Sequence, residues 1–463
     1  ETVPSRRTPR GDTFFARLPF HPGGFPVFYG WTILVIGTIG TLMSIPGQTV
    51  GVSVFTDFLI DALDLKRSLL SMAYLVGTVA SALMLSGAGK AYDRFGARIS
   101  GIAVTVLLGF TLLYLSVSDH ISAALLSLFG PGNGSGGAAD SAAPAAGSAL
   151  PVILSFAVIS FGFFMLRFFG QGTLTLVSRN MIMKWFERRR GIANAVLGIA
   201  ISLGFSLAPR FLDDVIGVMG WREAWRFLAL VLFGFALLVW IFYRDSPRIF
   251  GLEPDGGLKG PQRKTHPDTV AARDFTLREA RKTYAFWLFT LNLCLSALLV
   301  TAFTFHVVSI FETSGMTRDQ AVNVFLPVAV VAVTVQFLGS WISDFIRLKW
   351  LGSVHLLGSA MLCAGILLLD EGTPVALLVA GMGTAQGMMG ITGNITWPRY
   401  FGLAYLGEVS GFAMAWTVAG SALGPYVFSL SLDLTGTYGA AAAGFLAVTA
   451  VLFIASFRVR RPE

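Results

Sequence analysis

The sequence predicts an all-α membrane protein whose twelve transmembrane helices form two pseudo-symmetric six-helix bundles. Hydrophobic residues make up 54% of the 463 residues and charged residues only 13%, a composition outside the range of soluble proteins. The apolar residues fall into runs of about 18 to 28, and a helix needs about 20 residues to cross a bilayer. Runs of this length favour helices, whose backbone hydrogen bonds are satisfied internally, over the short strands of a membrane barrel.

Twelve apolar runs follow one another along the chain, separated by glycine, proline and charged clusters. They cover residues 28–56, 68–88, 99–117, 151–178, 191–212, 223–243, 284–311, 320–342, 352–369, 374–397, 409–432 and 439–457. The predicted domains are an N-terminal tail (1–27), a first bundle (28–243), a polar central loop (244–283), a second bundle (284–457) and a C-terminal tail (458–463). A Gly/Ala/Ser-rich insert at 129–151 predicts a flexible outer loop.

The net charge of +8 indicates membrane topology and not a nucleic-acid partner, because the positive residues are distributed unevenly. With the N-terminus placed inside, 27 of the 34 Lys and Arg residues lie on the inner side, 6 on the outer side and one within the membrane. This bias follows the positive-inside rule. We therefore expect an integral multi-pass protein of the plasma membrane with both termini in the cytoplasm.

The two bundles resemble each other in sequence, which indicates a duplicated six-helix unit. The matching pairs include Trp31 and Trp287, Asp93 and Asp344, and Gln171 and Gln386, at offsets of 256, 251 and 215 residues. The fall from 251 to 215 occurs across the insert at 129–151, which is nearly absent from the second half. A parallel repeat of this kind is common among secondary transporters.

Two charged loops at equivalent positions of the halves carry the clearest motif. The loop after the second run reads GKAYDRFGAR, and the loop after the eighth reads GSWISDFIR. The motif residues are Gly89, Asp93, Arg94, Gly96 and Arg98 in the first loop, and Gly339, Asp344 and Arg347 in the second. The glycines permit tight turns, and the charged side chains can bond helix ends. A solvated charged turn is the alternative interpretation.

These motif residues resemble the signature loop of the major facilitator superfamily. The resemblance implies the major facilitator fold, transport by alternating access, and a loop that locks the cytoplasmic side in the outward-facing state. The segments FYGW, GLEPDG, DFTLREARKTYAFW and KWFERRRGIANAVLGIAISLG resemble the branch of oxalate/formate exchangers and monocarboxylate transporters. Members of that branch hold the substrate carboxylate with an Arg in the eighth helix, but the eighth run here has no Arg or Lys. That clamp therefore does not transfer to this chain.

Arg167, in the stretch FFMLRFFGQG, is the one cation that the segmentation places inside the membrane. It lies 17 residues from Lys184 and 16 from Pro151, which puts it about 25 Å from either end of its helix. An arginine at this depth costs about 2.5 to 3.5 kcal/mol and normally faces a bundle interior or an aqueous cavity. All Asp and Glu residues fall in loops or at helix ends. Arg167 therefore either binds an anionic substrate or has a structural role, and its repeat mate is Met382.

Further polar residues lie within the predicted helices and could line one central cavity with Arg167. The candidates for substrate contact are Gln48, Gln171, Asn292, Gln336, Gln386 and Asn394. His306 is the candidate coupling residue, because histidine exchanges protons near neutral pH. The alternatives are interhelical hydrogen bonds for the amides and a packing or solvated role for His306.

No motif predicts an enzyme, a metal site or a cofactor. The sequence has no GxxxxGK[ST] phosphate-binding loop, and its polar residues at membrane depth form no nucleophile, paired-acid or metal-ligand pattern. Cys294 and Cys363 both lie in predicted helices and are interpreted as packing residues.

The sequence thus predicts a secondary active transporter, working by alternating access, for a small organic anion such as a monocarboxylate. Protons are the candidate coupling ion, the lipid bilayer is the environment, and we expect a functional monomer. Two alternatives stay open. One is export of a larger amphipathic compound, and the other is a membrane-embedded enzyme or receptor.

Overall fold

The computed structural model describes residues 19–129, 150–256, 271–369 and 373–463, and every regular element in these ranges is a helix. Most of the predicted tail at 1–27, most of the insert at 129–151 and part of the central loop lie outside the described residues. The long helices are α1 (Gly30–Leu42), α2 (67–95), α3 (97–116), α4 (Leu150–Trp185), α5 (Arg190–Met219), α6 (Trp221–Phe242), α7 (Tyr284–Thr313), α8 (Phe325–Ser343), α9 (Leu348–Leu367), α10 (Thr373–Tyr400), α11 (Leu406–Thr435) and α12 (Gly439–Ser456).

The number of membrane-capable helices is consistent with the twelve that the sequence predicts. Ten helices of the described ranges are long and apolar enough to cross a membrane. One of them, Leu69–Ser116, contains two crossings, because Gly96 has φ +78° and ψ 173° and reverses the chain between α2 and α3. The α11 helix is less apolar, but at 30 residues it exceeds the length of a span. The prediction of an all-helical membrane fold is confirmed.

The first apolar run, 28–56, is not one continuous helix. The α1 helix ends at Leu42, a 3₁₀ turn covers Ile45–Gly47, and a short helix covers Thr49–Ser53. Pro46 lies in that turn and lacks the backbone N–H that a continuous helix needs. The break leaves backbone carbonyls of this segment without helical partners.

Other boundaries also differ from the sequence-based ones. A helix at Ser118–Phe129 follows α3 and was not predicted, because its apolar residues do not reach the length of a span. It packs on α4, where Ser122 and Ser155 hydroxyls lie 2.8 Å apart. The α8 helix begins at Phe325 and not near 320, because a separate short helix at Arg318–Asn323 precedes it.

The two six-helix halves meet through two equivalent pairs of helices. The α2 helix packs against α11, and α5 packs against α8. We call the end of the molecule that carries the loops after α2, α4, α8 and α10 the basic end, because most Lys and Arg residues lie on its loops. The opposite end is called the open end.

The buried apolar side chains show that the halves are joined at the basic end. One core cluster there includes Tyr92, Met181 and Trp185 of the first half and Phe286 and Trp397 of the second. Toward the open end, the first half forms a separate cluster around Phe55 and Trp225, and the second forms another around Phe303. The halves therefore close on each other at the basic end and diverge toward the open end.

Candidate functional site

Arg167 begins an irregular turn in the middle of α4. Residues Arg167–Leu174 are wound as a π-helix between the α-helical segments Leu150–Leu166 and Thr175–Trp185. Such wide turns within α-helices are frequent at functional sites. In the sequence, only Gly170 and Gly172, which follow the arginine, indicate an irregularity here.

The wide turn brings α4 against the break in α1. A Cβ on Gly47 would lie 2.7 Å from Gly170 Cα and 2.5 Å from Leu166 O, so only glycine fits at this crossing. Arg167 Nη1 donates to Gly47 O at 3.1 Å and to Thr49 Oγ1 at 3.4 Å. The guanidinium thus bonds the segment of α1 whose helical hydrogen bonds are interrupted.

Arg167 is buried but only partly hydrogen-bonded. Its side chain is 2% exposed, and its Nε has no hydrogen-bond partner in the part of the chain that the structure describes. The Tyr74 ring lies 5.0 Å from the guanidinium carbon, within cation–π range. Among the described residues no carboxylate forms an ion pair with Arg167. The positive charge is therefore held by carbonyl, hydroxyl and aromatic groups and not by a protein anion.

Two of the predicted polar residues lie beside Arg167. Gln48 stands in the chain between the two residues that the guanidinium contacts, and its Nε2 donates to Ser44 Oγ at 3.0 Å and to Thr175 Oγ1 at 3.4 Å. Gln171 is half-buried within the π turn itself. The structure thus brings Arg167, Gln48 and Thr49 together between α1 and α4, and Gln171 follows Arg167 by four residues within the same wide turn.

Two predicted residues of the second half lie instead at the contact between the halves. Asn394 Nδ2 donates to Asn194 Oδ1 of α5 at 2.7 Å. Gln336 is 9% exposed, and its amide fills the space beside Gly198, where an added Cβ would lie 2.2 Å from Nε2. Both side chains therefore bridge the second half to α5.

The last two amides are separate from this contact. Gln386 is half-buried on α10. Asn292 is fully buried inside the second half, where its Nδ2 donates to Gly352 O of α9 at 3.2 Å. The structure therefore does not gather all six predicted amides into one group with Arg167.

His306 lies where α7, α11 and the start of α12 meet. Its Nε2 is 3.0 Å from Pro425 O and 3.3 Å from Ser429 Oγ, and its Nδ1 is 3.4 Å from Tyr438 Oη. The Tyr438 hydroxyl donates to Ser309 Oγ at 2.9 Å. Nε2 is thus the nitrogen placed to donate to the carbonyl, which leaves Nδ1 as an acceptor that faces the Tyr438 hydroxyl.

Asp93 of the first predicted loop connects the two halves. Its carboxylate accepts hydrogen bonds from the backbone N–H groups of Gly407 and Glu408, both at 2.8 Å, at the beginning of α11. A negative charge at a helix N-terminus is stabilised by the free N–H groups and the helix dipole. The helices approach closely here, since a Cβ on Gly89 would lie 2.0 Å from Gly407 O. We call this contact the α2–α11 latch.

The cations of that loop have other partners. Arg94 is exposed, and its guanidinium lies 5.5 Å from the Phe95 ring. Arg98 Nε donates to Tyr243 O at 3.3 Å, which fixes the start of α3 to the end of α6.

Asp344 forms the equivalent contact between α8 and α5. Its Oδ1 accepts a hydrogen bond from Gly191 N, at the start of α5, at 3.2 Å. The same oxygen forms an ion pair with Arg399 Nη2 at 2.8 Å. A Cβ on Gly191 would lie 2.0 Å from Ser340 O. The sequence repeat at Asp93 and Asp344 therefore corresponds to two pseudo-equivalent contacts that join the halves, and we call this second contact the α5–α8 latch. Arg347 is exposed at the start of α9.

Several polar residues of the basic end were not among the predicted site residues. Lys184 pairs with Asp245 at 2.9 Å, and Asn194 Nδ2 donates to Ser340 Oγ at 3.0 Å. Arg179 was predicted to lie in the loop after the fourth run, but it lies within α4, which extends to Trp185. The sequence signal for Arg179 was the apolar stretch after it, which continues the helix for one and a half turns.

Both ends of the central loop are attached to neighbouring loops by aspartates. Asp255 accepts hydrogen bonds from the amides of 187–189 at 2.7 to 3.3 Å. Asp274 accepts them from the amides of 403–404 at 2.8 and 3.1 Å. These are the loops that lead into α5 and α11, so the linker is fixed to both latched helices.

Glu279 caps the short helix Leu277–Ala280 that precedes α7. Hydrogen bonds from Thr276, and then from Arg273, lower the pKa of Glu279 from 4.5 to about 2. A depressed carboxyl pKa contributes stability above the unfolded value and loses it as pH falls through the folded value. This cap is therefore intact at any physiological pH.

Comparison with known proteins places this arrangement in one family. The sequence model of the Major Facilitator Superfamily matches residues 142–425, more than half of the chain. An uncharacterized MFS-type transporter of Escherichia coli (strain K12), YhjX, is 25% identical over 277 residues. That match covers 58% of this chain and 55% of YhjX, so it spans about half the length of that relative.

Solved structures with the same fold cover nearly the whole chain. A bacterial homologue of the iron transporter ferroportin in an outward-facing state is 15% identical over 92% of this chain and 98% of its own, with a TM-score of 0.65. The proton:xylose symporter XylE is 18% identical over 94% and 96%, with a TM-score of 0.62. The human organic anion transporter MFSD10 is 14% identical over 92% and 99%, with a TM-score of 0.59. At these identities the likeness shows the fold alone.

Proposed function

This chain belongs to the major facilitator superfamily of transporters, and we propose that it carries a small organic anion, such as a monocarboxylate, by alternating access. The observation that supports this proposal is the charge of Arg167. It is a cation at mid-helix depth with no carboxylate partner among the described residues. A substrate carboxylate would complete its hydrogen bonds, because Nε has no acceptor.

The polar side chains around Arg167 supply further contacts of the right kind. Gln48, Thr49 and, within the wide turn, Gln171 offer amide and hydroxyl groups to a carboxylate or to a neighbouring hydroxyl. On the second half, Gln336, Gln386 and Asn394 are the proposed substrate contacts of α8 and α10. Asn292 would contribute only by supporting α7 against α9.

The latches support an alternating-access cycle. Both close the basic end, and the apolar clusters diverge toward the open end. We place the basic end in the cytoplasm because of its Lys and Arg residues. The structure then corresponds to an outward-facing state, in which the substrate enters from the open end.

His306 offers a mechanism for proton coupling. With Nε2–H donating to Pro425 O, Nδ1 can take a proton, and the new N–H would point to Tyr438 Oη. Protonation would thereby strengthen the contact of α7 with α12. The related structure of XylE is that of a proton symporter, which is consistent with protons as the coupling ion.

The experiment is uptake by the purified protein in liposomes, tested with a panel of radiolabelled carboxylates with and without an inward pH gradient. We expect saturable uptake of at least one small carboxylate by the wild type and a loss of at least tenfold in Arg167→Gln. The matched control is Arg226→Gln, which removes an exposed arginine paired with Glu223. Normal transport by Arg167→Gln would contradict the proposal, and transport of large amphipathic compounds alone would favour the exporter alternative.

A further inference from the structure

Arg179 is a cation inside α4 that the site described above does not use. It lies 12 residues from Arg167 toward the basic end, about 18 Å along the helix. Its Nε is buried without a hydrogen-bond partner, and its guanidinium forms no ion pair with any described residue. Buried polar groups are normally hydrogen-bonded, so an arginine in this state calls for an explanation.

The exposure of Arg179 differs from that of its neighbours on the helix. Arg179 is partly exposed, whereas Thr175, Leu176, Ile182 and Met183 are each at most 3% exposed. If this side of α4 faced lipid, these neighbouring side chains would be exposed as well. The accessible part of Arg179 therefore faces an internal space.

The contacts of α4 indicate which space this is. Ile182 packs against α1, since a Cβ on Gly37 would lie 2.8 Å from its Cγ1, and Asn180 Nδ2 donates to α11 at 2.8 Å. At 3.6 residues per turn, Arg179 lies on the sector between these two faces. Met181, on the opposite sector, is buried in the core. Arg179 therefore faces the boundary between the two halves.

A partly exposed stripe on α4 runs from the open end toward Arg179. Phe161 is 52% exposed, and Phe164, Phe168 and Gln171 follow at helical spacing and are half-buried. Phe164 and Phe168 stack at 5.9 Å, and Phe168 also packs against a buried cluster from α2 and α11. The stripe thus follows the cleft between the halves.

The cleft is closed at the level of Arg179. Its repeat mate at the offset of 215 residues is Asn394, which donates to Asn194 across the boundary. Asn180, the next residue of α4, donates to Ser410 of the other half. Both bonds hold the halves together at this level of α4 and α10.

We infer that Arg179 is a second anion-binding residue, at the floor of the cleft, which receives the substrate anion after Arg167. The inference rests on the proposed function. In this arrangement the anion passes from the cation at mid-depth to a guanidinium whose N–H groups have no acceptor among the described residues. Arg179 lies on α4 between Arg167 and the basic end, so it would hold the anion there until the latches open.

The test uses the carboxylate that the wild type transports fastest, measured as counterflow in liposomes and as thermal stability in detergent. We expect Arg179→Met to lower the maximal rate at least tenfold but to change the KM less than about threefold, because Arg167 still binds the anion. Arg179→Lys should restore part of the rate. The matched control, Arg226→Met, should leave transport unchanged.

Stability distinguishes this role from a structural one. Removal of a buried charge without a partner should raise the Tm of Arg179→Met, whereas removal of a structural arginine should lower it. A rate within twofold of the wild type, a lower Tm, or a variant that does not fold would each contradict the inference. Failure of the wild type to transport any carboxylate would instead refute the proposed function.

Discussion

At the scale of single residues, the guanidinium of Arg167 presents two different sides. Nη1 bonds Gly47 O and Thr49 Oγ1 at the break in α1, which is a structural role. Nε makes no hydrogen bond, and the charge has no carboxylate partner among the described residues. The structural and the substrate-binding role, which the sequence left as alternatives, can therefore coexist in one side chain.

At the same scale, His306→Gln should separate coupling from transport. Glutamine can still donate a hydrogen bond to Pro425 O, but it cannot take up a proton. We expect accumulation driven by a pH gradient to fall at least tenfold, while counterflow without a gradient stays within about threefold of the wild type. Gradient-driven accumulation at the wild-type level in the variant would rule out His306 as the proton carrier.

At the scale of elements, hydropathy predicted the long helices because each must match the bilayer thickness, a property of local sequence. It could not predict the π turn at Arg167–Leu174, which depends on the close packing of Gly170 against Gly47. Nor could it predict the pair Asn194–Asn394, since 200 residues separate the two side chains. Arg179 was assigned to a loop for a different reason: a charge next to an apolar run lowers the local hydropathy and ends the predicted span, although the helix continues to Trp185.

The α2–α11 latch yields a prediction with a control in the same helix. In Gly89→Ala the new Cβ would meet Gly407 O at 2.0 Å, so α2 and α11 must separate and the bonds to Asp93 weaken. We expect the equilibrium to shift toward an open basic end by about 1 to 3 kcal/mol, the usual effect of overpacking. Gly87→Ala should have no such effect, because nothing lies within 4 Å of its added Cβ.

The measurement is the modification rate of a single cysteine introduced at Ser410, which the closed basic end buries. Gly89→Ala should raise this rate at least fivefold, and Gly87→Ala should leave it unchanged. Equal rates in the two variants would show that the close approach of α2 and α11 does not hold the basic end closed.

At the scale of the whole molecule, the two halves contribute unequally although their folds are equivalent. In both latches, an aspartate of one half accepts a hydrogen bond from a backbone N–H group at the start of a helix of the other half. The cations Arg167 and Arg179, in contrast, both lie on α4. Their repeat mates on α10 are the uncharged residues Met382 and Asn394. An asymmetric pathway of this kind suits a ligand with one charged end.

The orientation of the molecule in the membrane gives a further prediction. Glu312 and Ala404 are exposed at opposite ends, near the end of α7 and before α11. In intact cells, a membrane-impermeant maleimide should label Glu312→Cys, whereas Ala404→Cys should be labelled only after permeabilisation. The reverse pattern would place the basic end outside the cell and overturn the outward-facing assignment.

Carboxylate counterflow tests the central claim most directly, because exchange across a sealed liposome requires alternating access but no coupling ion. Liposomes that contain the protein and are loaded with an unlabelled carboxylate are given the labelled compound outside. We predict a transient accumulation with the wild type and with Arg226→Gln, and a reduction of at least tenfold with Arg167→Gln. Counterflow by Arg167→Gln at the wild-type rate would show that Arg167 is not the anion anchor.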